Sequence, residues 1–238
     1  MRISNICNLT FQSIPMKLNQ QGNKIFCSYN CKTKDNSTYQ IELNELTEDN
    51  FSIEATRKDF DASISSESLT IEPENKILFV ALMVTNKKDR GKGLGTCLHL
   101  SNIIELMENK YDVIKLKSLG EALPFHRKFG FEVAAPEFGG EIIQYLFKIS
   151  KNREKPFSEL RERANTTLFG LQGRKDKLQQ ANKIMNEYID LVSKEIPKKE
   201  QEAYFPYSLK MELSKIDVYK NKDFYNKLFR KYDIDYQI

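Results

Sequence analysis

Arg90-Gly91-Lys92-Gly93-Leu94-Gly95-Thr96 sets three glycines at alternate positions between two cations and a hydroxyl. Residues of these types can hold an anion. Glycine lets a backbone bend tightly and approach a ligand closely, because no Cβ intervenes. The first N–H groups of a helix have no partner within it, and the helix dipole favours negative charge there. A glycine turn that opens a helix is therefore a phosphate cradle in outline, with Arg90 and Lys92 adding positive charge. The alternative is a glycine-rich surface turn in front of an ordinary helix.

The flanking sequence supplies the elements a cradle needs. Ile77–Thr85 is a continuous apolar run, rich in β-branched residues, that predicts a strand covered on both faces. From Leu94 to Met107 apolar residues fall at 94, 98, 100, 103, 104 and 107, which is helical spacing. The spacing excludes two familiar loops. A Walker loop needs a lysine followed by Ser or Thr after the second glycine. In a dinucleotide fingerprint the third glycine would stand one residue later than Gly95.

Downstream, Asp112–Lys117 predicts a strand and Glu121–Phe129 a short helix closed by Gly130. Phe131–Ala134 and Glu141–Ile149 predict two more strands, the last with Ile143, Tyr145 and Phe147 on one face. Upstream, Lys24–Lys32, Thr38–Leu46 and Phe51–Thr56 alternate as an antiparallel meander. Phe11–Leu18 reads as an edge strand, Asp59–Glu67 as a loop and Ser68–Ile71 as a short strand.

Arginine, two residues, glycine, one residue and glycine, at Arg90, Gly93 and Gly95, between a strand and a helix, resembles the pyrophosphate loop of the GNAT superfamily of acyl-CoA-dependent N-acyltransferases. Ala122-Leu123-Pro124-Phe125-His126-Arg127-Lys128-Phe129-Gly130-Phe131 resembles the short fourth helix of that family. The resemblance covers residues 77–148. It implies acetyl-CoA as co-substrate and a primary amine, on a small molecule or a protein, as acceptor. The backbone of Met83, Val84 and Thr85 would pair with the pantetheine arm. Arg90, Gly91, Lys92, Gly93, Leu94, Gly95 and Thr96 would hold the pyrophosphate, with Phe125 and Lys128 along the path of the cofactor. The amine would attack the thioester directly in a ternary complex. His126 stands where the family often has a tyrosine that protonates the leaving thiolate. A helix histidine that only packs is the competing reading.

There are departures from the family pattern. The two amphipathic helices that normally follow the first strand are not legible. Ile77–Thr85 carries no carboxylate for a general base, which leaves Glu42, Glu54, Glu72 and Glu74 as candidates by strand order. The family's asparagine after the next central strand has only Ser118 near it.

The 238 residues allow one large domain or a domain with an appendage, and 15 Phe and 11 Tyr supply core bulk in the absence of Trp. The formal charge of +4 gives little reason to expect a polyanionic partner. Residues 151–238 hold 19 Lys and Arg against 14 Asp and Glu, but acids are interspersed and no basic-aromatic cluster forms, which argues against nucleic acid. Cys7, Cys27, Cys31 and Cys97 lack histidines at zinc-site spacing and read as free thiols. No apolar run is long enough to span a membrane, and residues 1–18 have no continuous apolar core, so a cytoplasmic protein is expected. The tail reads as helices at Pro156–Phe169, Asp176–Ile196, Phe205–Ile216 and Asp223–Tyr232. Those helices would pack on the domain, on a partner or on a second copy. The expected fold is α+β: a mixed, mostly antiparallel sheet flanked by helices at 1–150, then a helical extension at 151–238. The rival functions are a non-catalytic CoA-binding or interaction module with the same fold, and a nucleic-acid-associated module.

Overall fold

The structure, a computed structural model, describes residues 25–57, 60–134, 140–170 and 175–238. The expected edge strand at Phe11–Leu18 lies outside them, as does Cys7. The chain divides into two compact units, residues 1–115 with 214–238, and residues 116–213. This differs from the expected division at residue 150. Residues beyond 213 return to the first unit, and the helices between 140 and 195 belong to the second.

The first unit begins with five strands in antiparallel succession: β1 (Ile25–Lys32), β2 (Thr38–Thr47), β3 (Asn50–Arg57), β4 (Phe60–Glu72) and β5 (Ile77–Thr85). Alternation sets the register. Ile41 faces Ala55 and Leu43 faces Ile53, all buried on one face. β4 corrects the expected loop and short strand. Its 13 residues form one strand, because small serines fit a ladder bonded on both sides while Ile64 and Leu69 fill the core. β5 also departs from expectation. Leu78 and Val80 are buried, but Leu82 and Val84 are 59% and 43% exposed, so the second half of the strand is not covered on both faces.

α1 (Leu94–Glu108) packs on β3, β4 and β5. α6 (Lys215–Lys220) and α7 (Lys222–Lys231) pack on it as well. Its middle turns, Cys97 to Leu106, are therefore buried nearly all round, which is why apolar residues are not confined to one stripe.

β6 (Val113–Leu119) leads the chain into the second unit and β8 (Ser208–Ser214) leads it back. The second unit holds α2 (Leu123–Lys128), β7 (Glu132–Val133), α3 (Gly140–Lys151), α4 (Ser158–Leu168) and α5 (Lys175–Glu195). α3 replaces the strand expected at Glu141–Ile149. The residues it buries are Ile142, Leu146 and Ile149, at helical spacing, whereas Phe147 is 52% exposed. α3 packs on α4 and α5, and α5 packs on α2 and β7. The helix expected at Phe205–Ile216 is likewise corrected: Leu209, Met211 and Leu213 alternate into the core as β8, which pairs antiparallel with β7. Among the described residues, no helix is long and apolar enough to cross a membrane.

Candidate functional site

The glycine loop runs from the end of β5 through one 3-10 turn, Lys87–Asp89, to the start of α1. Gly93 is the N-cap at φ 111°, a left-handed conformation that disfavours a Cβ. Its carbonyl accepts from Thr96 N–H at 2.9 Å and Cys97 N–H at 3.1 Å. Among the described residues, the N–H groups of Gly91, Lys92, Gly93, Leu94 and Gly95 donate to no backbone carbonyl. A Cβ on Gly91 would meet nothing within 4 Å, so the loop is open on that side. Five donors at a helix start, beside open space, can chelate an anion of phosphate size.

The two cations of the loop differ. Arg90 is exposed and its Nε donates to the Thr85 carbonyl at 3.3 Å, which keeps the side chain against the end of β5. Lys92 turns inward. Its Nζ lies 2.7 Å from Asp89 Oδ1 and 3.7 Å from Asp35 Oδ2. Asp89 is 5% exposed, so Lys92 neutralises a buried carboxylate, and its charge is not at the disposal of a ligand. The hydrogen bond that Lys92 donates to Asp89 raises the Lys92 pKa. The Lys92 carbonyl accepts from Lys34 N–H at 3.1 Å, which ties the loop to the β1–β2 turn.

Thr96, in the first turn of α1, has its side chain beside the Tyr232 hydroxyl. Nothing in the sequence suggests this partner.

Met83, Val84 and Thr85 pair with Glu67, Ser66 and Ser65 of β4. Ser65 Oγ donates to the Val84 carbonyl at 2.9 Å and lies 2.7 Å from Thr85 Oγ1. One step earlier the register slips: Leu69 faces Val80 but Ser68 faces Leu82. Ala81 is the extra residue of a bulge, which leaves its backbone out of the ladder and bends the strand there. The exposed half of β5 therefore begins at an irregularity rather than running on as a covered strand.

Glu67 is a buried carboxyl that the loop assignment at 59–67 concealed. It lies on the α1 face of β4, 1% exposed, and its Oε1 accepts from Asn102 Nδ2 at 2.7 Å. Burial pushes its carboxyl up to about 8, only partly offset by Asn102. Reading residues 60–72 as a strand would have placed Glu67 on the face of Leu69. Of the sequence candidates for a base, Glu42 and Glu54 face each other across β2 and β3. Glu72 pairs with Ile77, at the far end of β5 from the loop. That is about 26 Å along the strand from Thr85.

The other predicted residues lie on α2, in the second unit. Gly130 at φ 82° ends this helix, with Phe131 N–H on the His126 carbonyl and Gly130 N–H on that of Arg127. Phe125 is half-buried and makes edge contacts to the His126 and Phe129 rings. His126 is 7% exposed and also meets Phe131 edge-on. Burial holds its pKa down to about 4, so the imidazole is neutral at pH 7. Arg127 makes a two-pronged pair with Asp190 of α5, at 3.1 and 2.6 Å, and donates to the Phe131 carbonyl at 3.0 Å. Lys128 is exposed.

No family model and no curated protein matches the chain. Among solved structures it resembles GNAT acetyltransferases. Tetrahymena GCN5 aligns at 14% identity and a TM-score of 0.34, over 36% of this chain and 53% of that one. A GNAT family acetyltransferase from Elizabethkingia anophelis, solved with acetyl-CoA bound, aligns at 15% and 0.33, over 36% and 56%. Nourseothricin acetyltransferase aligns at 16% and 0.34, over 54% and 86%. The chain thus spans little more than half of the first two. Likeness at this level carries no functional argument, which rests on the loop instead.

Proposed function

We propose that this chain is an acyl-CoA-dependent N-acyltransferase of GNAT type, which binds acetyl-CoA and transfers the acetyl group to a primary amine. The observation that carries the reading is the row of five loop N–H groups, Gly91 to Gly95, without a backbone acceptor among the described residues, at the start of α1. The space beside Gly91 is open, and the donors follow a strand whose last residues are only partly covered. In this reading the pyrophosphate sits on these donors with Arg90 as its cation. The pantetheine arm runs along Met83–Thr85. The amine nitrogen attacks the thioester carbonyl, and a backbone N–H of β5 steadies the oxyanion. The C–N bond forms, the C–S bond breaks, the amine loses a proton and the thiolate gains one. The resemblance offers His126 as the acid for that last step. A pKa near 4 leaves it about one part in a thousand protonated at pH 7, so water is the better donor.

A non-catalytic CoA-binding module is the second reading, favoured by one observation. Among the described residues, the chain from β1 to β5 contains no α-helix, where the family resemblance expects two that wall the acceptor. Incubation with acetyl-CoA and a panel of primary amines separates the readings. Free thiol that appears only with an amine supports the enzyme, and binding with no thiol release supports the module. A melting temperature unmoved by acetyl-CoA contradicts both.

A further inference from the structure

We propose that Tyr232 is the positioning residue of the glycine loop, holding Gly93 and Thr96 in the conformation that presents the anion-binding N–H groups. The proposal rests on the reading of that loop as the pyrophosphate site.

Tyr232 follows α7 and is 3% exposed. Its backbone is fixed on both sides. Its N–H donates to the Leu228 carbonyl at 3.0 Å, and its carbonyl accepts from Lys32 N–H of β1 at 2.8 Å. The chain then turns sharply. Asp233 adopts φ 56°, and Ile234 N–H reaches back to the Phe229 carbonyl at 2.9 Å. So the ring is delivered to the loop from an anchored stem rather than from a free tail.

Two contacts follow at the loop. The ring lies on Gly93 so closely that a Cβ there would sit 2.7 Å from both Cε1 and Oη. The hydroxyl lies beside the Thr96 side chain. Gly93 therefore needs to be glycine for Tyr232 as well as for its φ of 111°. Thr96, which the sequence suggests as a direct ligand to the pyrophosphate, acts through Tyr232 in this arrangement. Four residues on, Tyr236 Oη donates to Glu108 Oε1 at 2.7 Å, at the other end of α1. The segment after α7 thus holds both ends of the helix whose first turn is the cradle. Lys92, by its tie to Asp89 and Asp35, braces the loop from the β1–β2 side. A cradle fixed before the ligand arrives loses less entropy on binding.

Tyr232→Phe keeps the ring and removes the hydroxyl that faces Thr96. Hydrogen exchange of the free full-length chain should speed up at the amides of Thr96 and Cys97, which donate to the Gly93 carbonyl, and stay unchanged in β2 and β3, which a general loss of stability would not produce. Calorimetric titration should show acetyl-CoA binding weakened about three- to tenfold, the range for one lost polar contact. Thr96→Val removes the hydroxyl on the other side of the same contact. It should give the same change, and the double variant no further change. Unchanged exchange at Thr96 and Cys97, acetyl-CoA affinity equal to wild type in Tyr232→Phe, or additive losses in the double variant would overturn the proposal. Wild-type protein that ignores acetyl-CoA, with the exchange effect still confined to Thr96 and Cys97, would remove the pyrophosphate reading and leave Tyr232 as the residue that fixes the loop.

Discussion

Glu67 of β4 accepts a hydrogen bond from Asn102 of α1 at 2.7 Å, and both side chains are sealed from solvent. Among the described residues, Glu67 Oε2 and Asn102 Oδ1 have no hydrogen-bond partner. A proton on Glu67 would let it donate to Asn102 in return, satisfying both orphans at once. The pKa near 8 agrees with a carboxyl that is protonated at neutral pH.

This makes a stability prediction with a definite sign. The folded pKa lies above the ordinary value of 4.5, so the folded state binds the extra proton between about pH 4.5 and pH 8. Stability should fall as pH rises through that window and level off above it. Glu67→Gln supplies a permanent donor and acceptor for Asn102 and removes this slope. Urea unfolding at pH 7 should find the variant more stable by roughly 3 kcal/mol, and at pH 4 by nearly nothing. A variant less stable than wild type at pH 7 contradicts the protonated pair.

His126 should show the opposite slope. Its folded pKa, about 4, lies below the ordinary value of 6.5, so the unfolded chain binds more protons between the two. The stabilisation is complete above pH 6.5 and is lost as pH falls toward 4, by roughly 3 kcal/mol in all. The chain has only two histidines, so NMR titration with a His99→Gln control assigns the imidazole signals. A His126 midpoint close to 6.5 would refute its burial and return it to contention as a general acid.

Arg90 and Lys92, two residues apart, should separate by function. Arg90→Met removes an exposed cation beside the loop and should weaken acetyl-CoA about tenfold with little change in melting temperature. Lys92→Met strips Asp89 of its partner and should lower the melting temperature with under about threefold effect on affinity. Asp89→Asn in the Lys92→Met background should recover part of the loss. The reverse ranking in affinity would show that Lys92 swings out to the ligand.

On α2, Arg127→Met should cost more stability than Asp190→Asn. Both remove the ion pair, which is partly exposed and worth about 1 kcal/mol or less. Only Arg127→Met also strips the Phe131 carbonyl of its donor. Equal losses in thermal unfolding would show that the carbonyl contact contributes nothing.

The sequence exposes the loop because its signals are local: a β-branched run, alternate glycines, then helical spacing. β4 is hidden because Ser63, Ser65, Ser66 and Ser68 carry no hydrophobic alternation, and a strand bonded on both sides needs none. At Glu141–Ile149 two periods coexist. Ile143, Tyr145 and Phe147 suit a strand, whereas Ile142, Leu146 and Ile149 suit a helix, and packing against α4 and α5 selects the second. Aromatic richness around Phe205 masks the alternation of Leu209, Met211 and Leu213. Tyr232 on Gly93 and Asp35 beside Lys92 are contacts between distant parts of the chain, and no local pattern encodes them.

The central claim is that residues 91–96 receive the pyrophosphate of an acyl-CoA. Backbone amide NMR of the full-length chain, titrated with acetyl-CoA, tests it most directly. The account predicts saturable shifts largest at Gly91 through Thr96, abolished over the same concentration range in Gly91→Pro. Shifts centred elsewhere, or none at millimolar acetyl-CoA, would contradict it.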